Sequence, residues 1–209
     1  MKIVLVHQWP ALTPHHIPIY VGGPVQGGGD WQESFISHFV STSVNTWSDS
    51  FRKMMLPRIV FIVPCSWGKE HSLAHYFTDK YEIIDPICDD EFRKSIAEWL
   101  ASSFNISIKG GMVVYGLFPE NKKNKRKDGL QYACNTRFDL GLSLAAVMND
   151  SDKHSLFVGK HKDFLGIEEM DLSFQVVVGK DWFEENTRYV RSPKELADWV
   201  ASSLDHSSF

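Results

Sequence analysis

The residues best suited to chemistry form a glycine-rich segment near the start of the chain, IPIYVGGPVQGGGDWQ over residues 17–32. Its apolar beginning, Ile19 to Val21, predicts a buried strand, and a helix is expected to begin near Asp30-Trp31. Glycine accepts positive φ angles and lets a ligand approach the backbone closely. Because backbone N–H groups at a strand, loop and helix junction can face a ligand's oxygen atoms, we expect this segment to mark the ligand-binding end.

A second segment, NTRFDLG over residues 135–141, is predicted to begin a helix after an apolar strand and a long loop. Asn135 or Thr136 could cap this helix. Asp139 would then lie in its first turn, where the helix dipole stabilises a carboxylate and keeps it ionised. The alternative is an acid at a helix N-terminus with no chemical role, which is a very common arrangement.

The composition describes an ordinary globular chain. It has 209 residues, of which 43% are hydrophobic, enough for one substantial core and one domain over residues 1–209. The net charge of -4 gives no reason to expect a nucleic-acid polymer as partner. The basic run over residues 122–127 is short and flanked by acids, so we interpret it as a solvated loop.

The three cysteines, Cys65, Cys88 and Cys134, have no CxxC spacing. They indicate a reducing compartment, with neither a disulfide framework nor a zinc site. No signal peptide and no stretch of about 18 apolar residues is recognised, so we expect a cytoplasmic protein without a membrane partner. His15-His16 has no third ligand at metal spacing, and no metal is predicted.

Short, fully apolar runs are typical of parallel strands that are buried on both faces. Such runs occur at Ile3–Val6, Ile19–Val21, Ile59–Val63, Met112–Phe118, Ser155–Val158 and Phe174–Val178. Helical patterns occur at Trp31–Val40, Asp89–Phe104, Thr136–Met148 and Pro193–Leu204, the last with Ser192 as cap and Glu195 completing a capping box. The alternation predicts a three-layer α/β sandwich with a mostly parallel five-stranded sheet, whose ligands bind beyond the carboxyl ends of the strands.

Both segments resemble the nucleoside 2-deoxyribosyltransferase-like family. The strand end Tyr20-Val21-Gly22-Gly23-Pro24 and the helix start Asp30-Trp31-Gln32 are similar to the family's first motif. The family's later pattern, approximately T-x-x-E-L-G, appears as Thr136-Arg-Phe-Asp139-Leu-Gly141. The order and separation of the segments also fit, over most of the chain.

The resemblance implies a Rossmann-like or flavodoxin-like fold and cleavage of an N-glycosidic bond, with a nucleoside or nucleotide as partner. A carboxylate attacks C1′ of the deoxyribose and displaces the base, and a second base or water then takes the sugar. It implies that Asp139 is the nucleophile or charge stabiliser and that no metal or organic cofactor is needed. The implied substrate-binding residues are Gly22, Gly23, Pro24, Gln26, Asp30, Trp31, Tyr115, Asn135, Thr136 and Arg137.

The sequence departs from the family at three places. Asp139 stands where the family normally has Glu, Ala133 stands where some relatives have an acid or Ser, and residues 109–111 lack an Asp that many relatives carry. Arg137 could replace the missing phosphate pocket, or be an exposed helix residue. Asp128 could supply the missing acid.

Several alternatives stay open at this point. Trp31, Tyr115 and Phe118 could clamp a base or belong to the core. The enzyme could be a transferase, a hydrolase or an NAD-type glycohydrolase. A non-catalytic nucleotide-binding descendant of the fold is the alternative from another class. Relatives commonly build the site across a subunit interface, which leaves a homo-oligomer open.

Overall fold

The computed structural model describes residues 2–6, 15–24, 28–64, 82–84, 112–122, 125, 132–149 and 155–206. Its strands form one seven-stranded sheet in the order β4-β1-β3-β2-β5-β6-β7, and all six pairings are parallel. The strands are β1 (Lys2–Val6), β2 (Ile17–Gly22), β3 (Ile59–Pro64), β4 (Glu82–Ile84), β5 (Met112–Leu117), β6 (Ser155–Lys160) and β7 (Thr187–Tyr189).

Helices cover both faces of this sheet. They are α1 (Trp31–Thr46), α2 (Asp49–Met55), α3 (Cys134–Asn149), α4 (Ile167–Val178), α5 (Lys180–Asn186) and α6 (Pro193–His206), with a 3₁₀ turn at Leu56–Arg58. One hydrophobic core joins the sheet to α1 and α6, and a second joins it to α3, α4 and α5. The predicted three-layer α/β sandwich with a parallel sheet is therefore confirmed. Among the described helices, none has the length and apolar character needed to cross a membrane.

Burial on both faces explains why β2 and β5 are so apolar. Every residue of both strands is buried. Along β2, Ile19 and Val21 belong to the core under α1 and α6, whereas Tyr20 belongs to the core under α3. Because successive side chains of a strand point to opposite faces of the sheet, the Tyr20 phenol lies on the α3 face.

The strand order locates the ligand end of the sheet. Strands β3-β2-β5-β6-β7 follow the order 2-1-3-4-5 of flavodoxin-like folds, and β1 and β4 extend the sheet beyond β3. In that order the strands that follow β2 are added first on one side of it and then on the other, so the strand order reverses between β2 and β5. Gly22 is paired with Tyr115 there. Because open α/β sheets bind ligands at such a switch point, the carboxyl ends of β2 and β5 are the expected location.

Some predicted elements differ from the structure. Within the described ranges the sheet has seven strands and not five, because the three-residue strands β4 and β7 are too short to recognise in the sequence. The sequence predicts a strand over Phe174–Val178. This prediction is wrong, because these residues form the end of α4. The predicted helix over residues 89–104 lies outside the described residues.

The predicted start of α6 is confirmed with one change of register. Ser192 Oγ accepts the backbone N–H of Glu195 at 3.4 Å. The Glu195 carboxylate accepts the N–H of Arg191 at 2.8 Å, one residue before the cap. The helix N-terminus is thus closed from both sides, as in a capping box.

Candidate functional site

The glycine loop after β2 lies directly on the indole ring of Trp31. A Cβ on Gly23 would lie 2.4 Å from Trp31 Cζ2, and one on Gly116 would lie 2.5 Å from Cζ3. Gly23 also has a φ of +151°, a conformation that favours glycine. Trp31 Nε1 donates to the Pro24 carbonyl oxygen at 2.8 Å, and the residue is 4% exposed. Trp31 therefore packs beneath the loop and has no exposed ring face for a base.

Because Gly22 has no side chain, two tyrosine rings pack directly against its backbone. A Cβ at this position would lie 2.6 Å from Tyr115 Cε1 and 2.7 Å from Tyr20 Cε1. The two rings meet edge to face, with centroids 6.2 Å apart. Just before Gly22, the Val21 carbonyl oxygen accepts a hydrogen bond from the buried side chain of Gln32 at 3.0 Å. The strand end is thus held by Gln32, and the absence of a side chain at Gly22 lets both tyrosine rings pack against its backbone.

Asp139 approaches the same tyrosine pair from α3. The hydroxyls of Tyr115 and Ser143 are hydrogen-bonded at 3.1 Å, and Ser143 follows Asp139 by one helical turn. Burial raises the pKa of both Tyr20 and Tyr115 well above its ordinary range, and the negative charge of Asp139 raises both further. The carboxylate therefore lies within electrostatic range of both phenols. Gly22 and Asp139 converge on one pair of rings.

Burial also decides the charge state of Asp139. The carboxyl group is half-buried, and desolvation raises its pKa from 3.8 to about 6. This corrects the expectation that a first-turn position would stabilise the anion. The helix begins at Cys134, so Asp139 is its sixth residue, beyond the first turn where the dipole acts. Desolvation outweighs the dipole, and the acid is less easily ionised than predicted.

The start of α3 has an unusual backbone. Ala133 has a φ of 57°, and its carbonyl oxygen accepts the N–H of Arg137 at 3.0 Å. A left-handed conformation at a non-glycine residue is uncommon and costs energy. Asn135 and Thr136 are consequently the second and third helical residues, so the prediction that one of them caps the helix is wrong. Thr136 is buried.

Arg137 is engaged by the segment between β6 and α4. Its guanidinium carbon lies 5.3 Å from the centre of the Phe164 ring, and one NH₂ group donates to the Leu165 carbonyl oxygen. Its Nε is buried and has no hydrogen-bond partner among the described residues. The residue is half-buried and packed, so it is not the freely exposed helix residue that was one alternative.

The glycine loop also meets the segment after β5. A Cβ on Gly29 would lie 2.8 Å from Asn121 Nδ2. Asp30 is exposed just ahead of α1, and its side chain makes no capping hydrogen bond. Gln26 and Asp128, two other predicted site residues, lie outside the described part of the chain.

Three site residues were not found from the sequence. Tyr20 and Ser143 complete the contact between β2, β5 and α3, as described above. His161 directly follows β6 at the same edge of the sheet, and its N–H donates to the Leu117 carbonyl oxygen at 2.9 Å. Its Nδ1 accepts the Asp163 backbone N–H at 3.1 Å, which leaves Nε2–H as the donor of the neutral ring. A polar residue within an apolar strand or directly after it is the sequence signal shared by Tyr20 and His161.

Within the described ranges, no three His, Cys, Asp or Glu side chains come together as a metal site. Comparison of the chain with protein-family models, with curated proteins and with solved structures found no match in any of the three. The chemistry of the site must therefore be argued from its geometry.

Proposed function

We propose that the protein cleaves or transfers at the N-glycosidic bond of a deoxynucleoside or nucleotide, with Asp139 as the acting carboxylate. The observation that carries the proposal is the half-buried Asp139, with a pKa of about 6, beside two phenols at the sheet's topological switch point. Perturbed acids in such places are frequent in active sites. The sequence resemblance independently selects the same residue.

Loss of the base from a nucleoside leaves positive charge on C1′ and the ring oxygen of the sugar. A carboxylate next to C1′ stabilises this charge or captures the carbon as a glycosyl ester. Asp139 suits this role because a pKa of about 6 leaves it roughly nine-tenths ionised at pH 7. Because burial partly desolvates the Asp139 carboxylate, the positive charge that develops on the sugar takes the place of the water that the anion has lost.

The two tyrosines give the site its shape. Both are protonated at neutral pH, as a phenol with its ordinary pKa near 10 would be, and burial and the Asp139 charge raise the pKa of each further. Ser143 fixes the Tyr115 hydroxyl, and both tyrosine rings pack against Gly22 at the end of β2. A sugar bound over Gly22 would lie between the loop N–H groups and the carboxylate.

The test uses purified protein with a panel of nucleosides, deoxynucleotides and NAD, with free base followed by chromatography. Addition of a second base separates transfer from hydrolysis, and release of nicotinamide identifies the NAD-type alternative. Asp139→Asn should lower base release by at least about 100-fold. Asp181→Asn, which changes an exposed carboxylate on α5, is the matched control and should retain full activity. Equal turnover by wild type and Asp139→Asn would disprove the assignment.

A non-catalytic nucleotide-binding protein is the second candidate, and the buried Ala133 favours it. Some relatives carry an acid or serine at this position, and here a methyl group at a left-handed backbone position supplies neither. Saturable nucleotide binding without base release would support this candidate over the enzyme. The cysteine spacing leads us to propose a cytoplasmic location for either function.

A further inference from the structure

Strand β7 is the last strand on one side of the sheet, and part of its backbone faces away from every other described strand. The Val190 N–H donates to the Lys160 carbonyl oxygen of β6 at 2.8 Å, and Tyr189 is in parallel register with Lys160. Because alternate residues of a strand direct their backbone groups to opposite sides, Tyr189 directs its N–H and C=O outward. Among the described residues neither group has a hydrogen-bond partner. This edge is therefore open to pairing with a further strand.

A groove of about 520 Å³ lies between this edge and helix α6. It is lined by residues 188–190 at the end of β7 and by Glu195, Asp198, Trp199 and Ser202 of α6. Val190 belongs to the core under α6, and the side chain of Arg188, two residues before it, points to the same face of the sheet. A strand added beside β7 would therefore direct every second side chain into the groove.

Arg188 brings a positive charge to the groove. Its guanidinium carbon lies 4.6 Å from the centre of the Trp199 ring, and the Phe157 ring packs edge-on against the same indole at 5.1 Å between centroids. Among the described residues Arg188 makes no ion pair. A guanidinium stacked in this way keeps its planar N–H edge free for two parallel hydrogen bonds to a carboxylate.

The two carboxylates of the groove are already engaged elsewhere. Glu195 accepts the Arg191 N–H and lies 3.6 Å from its side-chain Nε. Asp198 accepts the hydroxyl of Thr42 on α1. The charge without a counter-ion beside the open edge is therefore positive. An exposed arginine is ordinary by itself, but one that is held next to free backbone groups favours an extended partner that carries a carboxylate.

We propose that this groove, named here the β7 groove, binds an extended acidic peptide that adds to the sheet beside β7. Tyr189 supplies the backbone hydrogen bonds, and Arg188 pairs with a carboxylate of the peptide. Binding of this kind takes its affinity from main-chain hydrogen bonds and its specificity from the side chains. Because β7 has only three residues, few hydrogen bonds are available, and we expect a dissociation constant on the order of 100 µM. This inference is independent of the proposed function.

The first test uses fluorescence anisotropy of a labelled peptide of alternating valine and threonine with a central glutamate, titrated with the full chain to about 1 mM. This peptide should bind, and the same peptide with lysine in place of glutamate should bind at least about 10-fold more weakly. Free glutamate at the same concentration should not compete, because it has no strand backbone. Absence of binding, equal binding of the lysine peptide, or competition by free glutamate would each overturn the proposal.

The second test locates the site. Arg188→Glu should weaken binding of the glutamate peptide by at least about 10-fold, because like charges then meet in the groove. Lys53→Glu makes the same change of charge at an exposed residue of α2 and should bind like wild type. An equal loss in both variants, or no loss in Arg188→Glu, overturns the proposal.

The third test leaves the protein unchanged and examines the backbone pairing. Two versions of the glutamate peptide carry N-methyl groups on alternate amides, one version on each edge of the strand, so their charge is the same. The version methylated on the edge that faces β7 should bind at least about 10-fold more weakly than the other. Equal binding of the two versions overturns the addition of the peptide to the sheet.

Discussion

Asp139→Asn should make the protein more stable at neutral pH, although it removes the carboxylate on which the proposed chemistry depends. The carboxyl group has a pKa of about 6 in the folded protein because burial disfavours its charged form. In the unfolded chain it has its ordinary value near 4. The stabilisation from the bound proton is therefore complete below about pH 4 and is lost as the pH rises through about 6.

The size of the effect follows from the raised pKa. A change from 3.8 to about 6 corresponds to a ceiling of about 3 kcal/mol in the free energy of unfolding. Because the carboxyl group is still partly exposed, solvent screening reduces this to about 1–2 kcal/mol. Asparagine is neutral at every pH, so Asp139→Asn should gain this amount at pH 7.5 and almost nothing at pH 4.

The assay is urea unfolding of wild type and variant at several values between about pH 4 and pH 7.5. The difference between the two free energies cancels the titration of all other groups. A difference for Asp139→Asn that is constant with pH, or a loss of stability at pH 7.5, would refute the reasoning.

The remaining predictions concern the residues around this carboxylate. Gly23→Ala should lower the free energy of unfolding by about 2–4 kcal/mol in urea titrations, because its methyl group would lie 2.4 Å from the Trp31 ring. Tyr115→Phe should cost about 1–2 kcal/mol in the same measurement, since the buried Ser143 hydroxyl then has no partner, and adding Ser143→Ala should cost little more. Initial rates of base release should rise with pH through about 6 as Asp139 ionises, whereas the residual rate of Asp139→Asn should lack this rise.

Each of these outcomes has a clear opposite. If Gly23→Ala leaves the free energy of unfolding unchanged, the loop is free to move away from the indole ring. Full additivity of the two changes at Tyr115 and Ser143 would mean that their hydrogen bond contributes nothing. A rate that falls as the pH rises through 6 would make Asp139 a proton donor instead of a nucleophile or charge stabiliser.

Two of the strands that the sequence predicts correctly are buried on both faces, where every position favours an apolar residue. β2 and β5 are of this kind. The run Phe174–Val178 is equally apolar, yet it is helical. Met170, Phe174 and Val178 contact the core at a spacing of four, while Val176 is exposed. Five residues are too few to separate a helical period from a strand, so the periodicity becomes visible only when the preceding turn is included.

The candidate site is harder to predict from the sequence than the strands are, because it depends on the residue at which α3 begins. Ala133 ends the preceding segment in a left-handed conformation that no sequence pattern indicates. That start places Asp139 in the second turn, where burial and not the helix dipole determines its pKa. The roles of Tyr20 and Ser143 arise from contacts between separate elements, and these need the folded chain to be seen.

The indole of Trp31 packs against two glycines that are far apart in the sequence. The cost of a substitution at either glycine therefore depends on the side chain at position 31. The indole occupies the space in which a side chain at Gly23 or at Gly116 would lie. A smaller ring at position 31 should therefore relieve part of the cost of Gly116→Ala, a case of what geneticists call positive epistasis. The relief is partial because Phe118 Cε2 also lies 2.7 Å from that Cβ position. The smaller ring should not rescue Gly23→Ala, because the Gly116 carbonyl oxygen also lies 2.6 Å from the Cβ position of residue 23. A pairwise mutational scan should thus find partial compensation at Gly116 and none at Gly23.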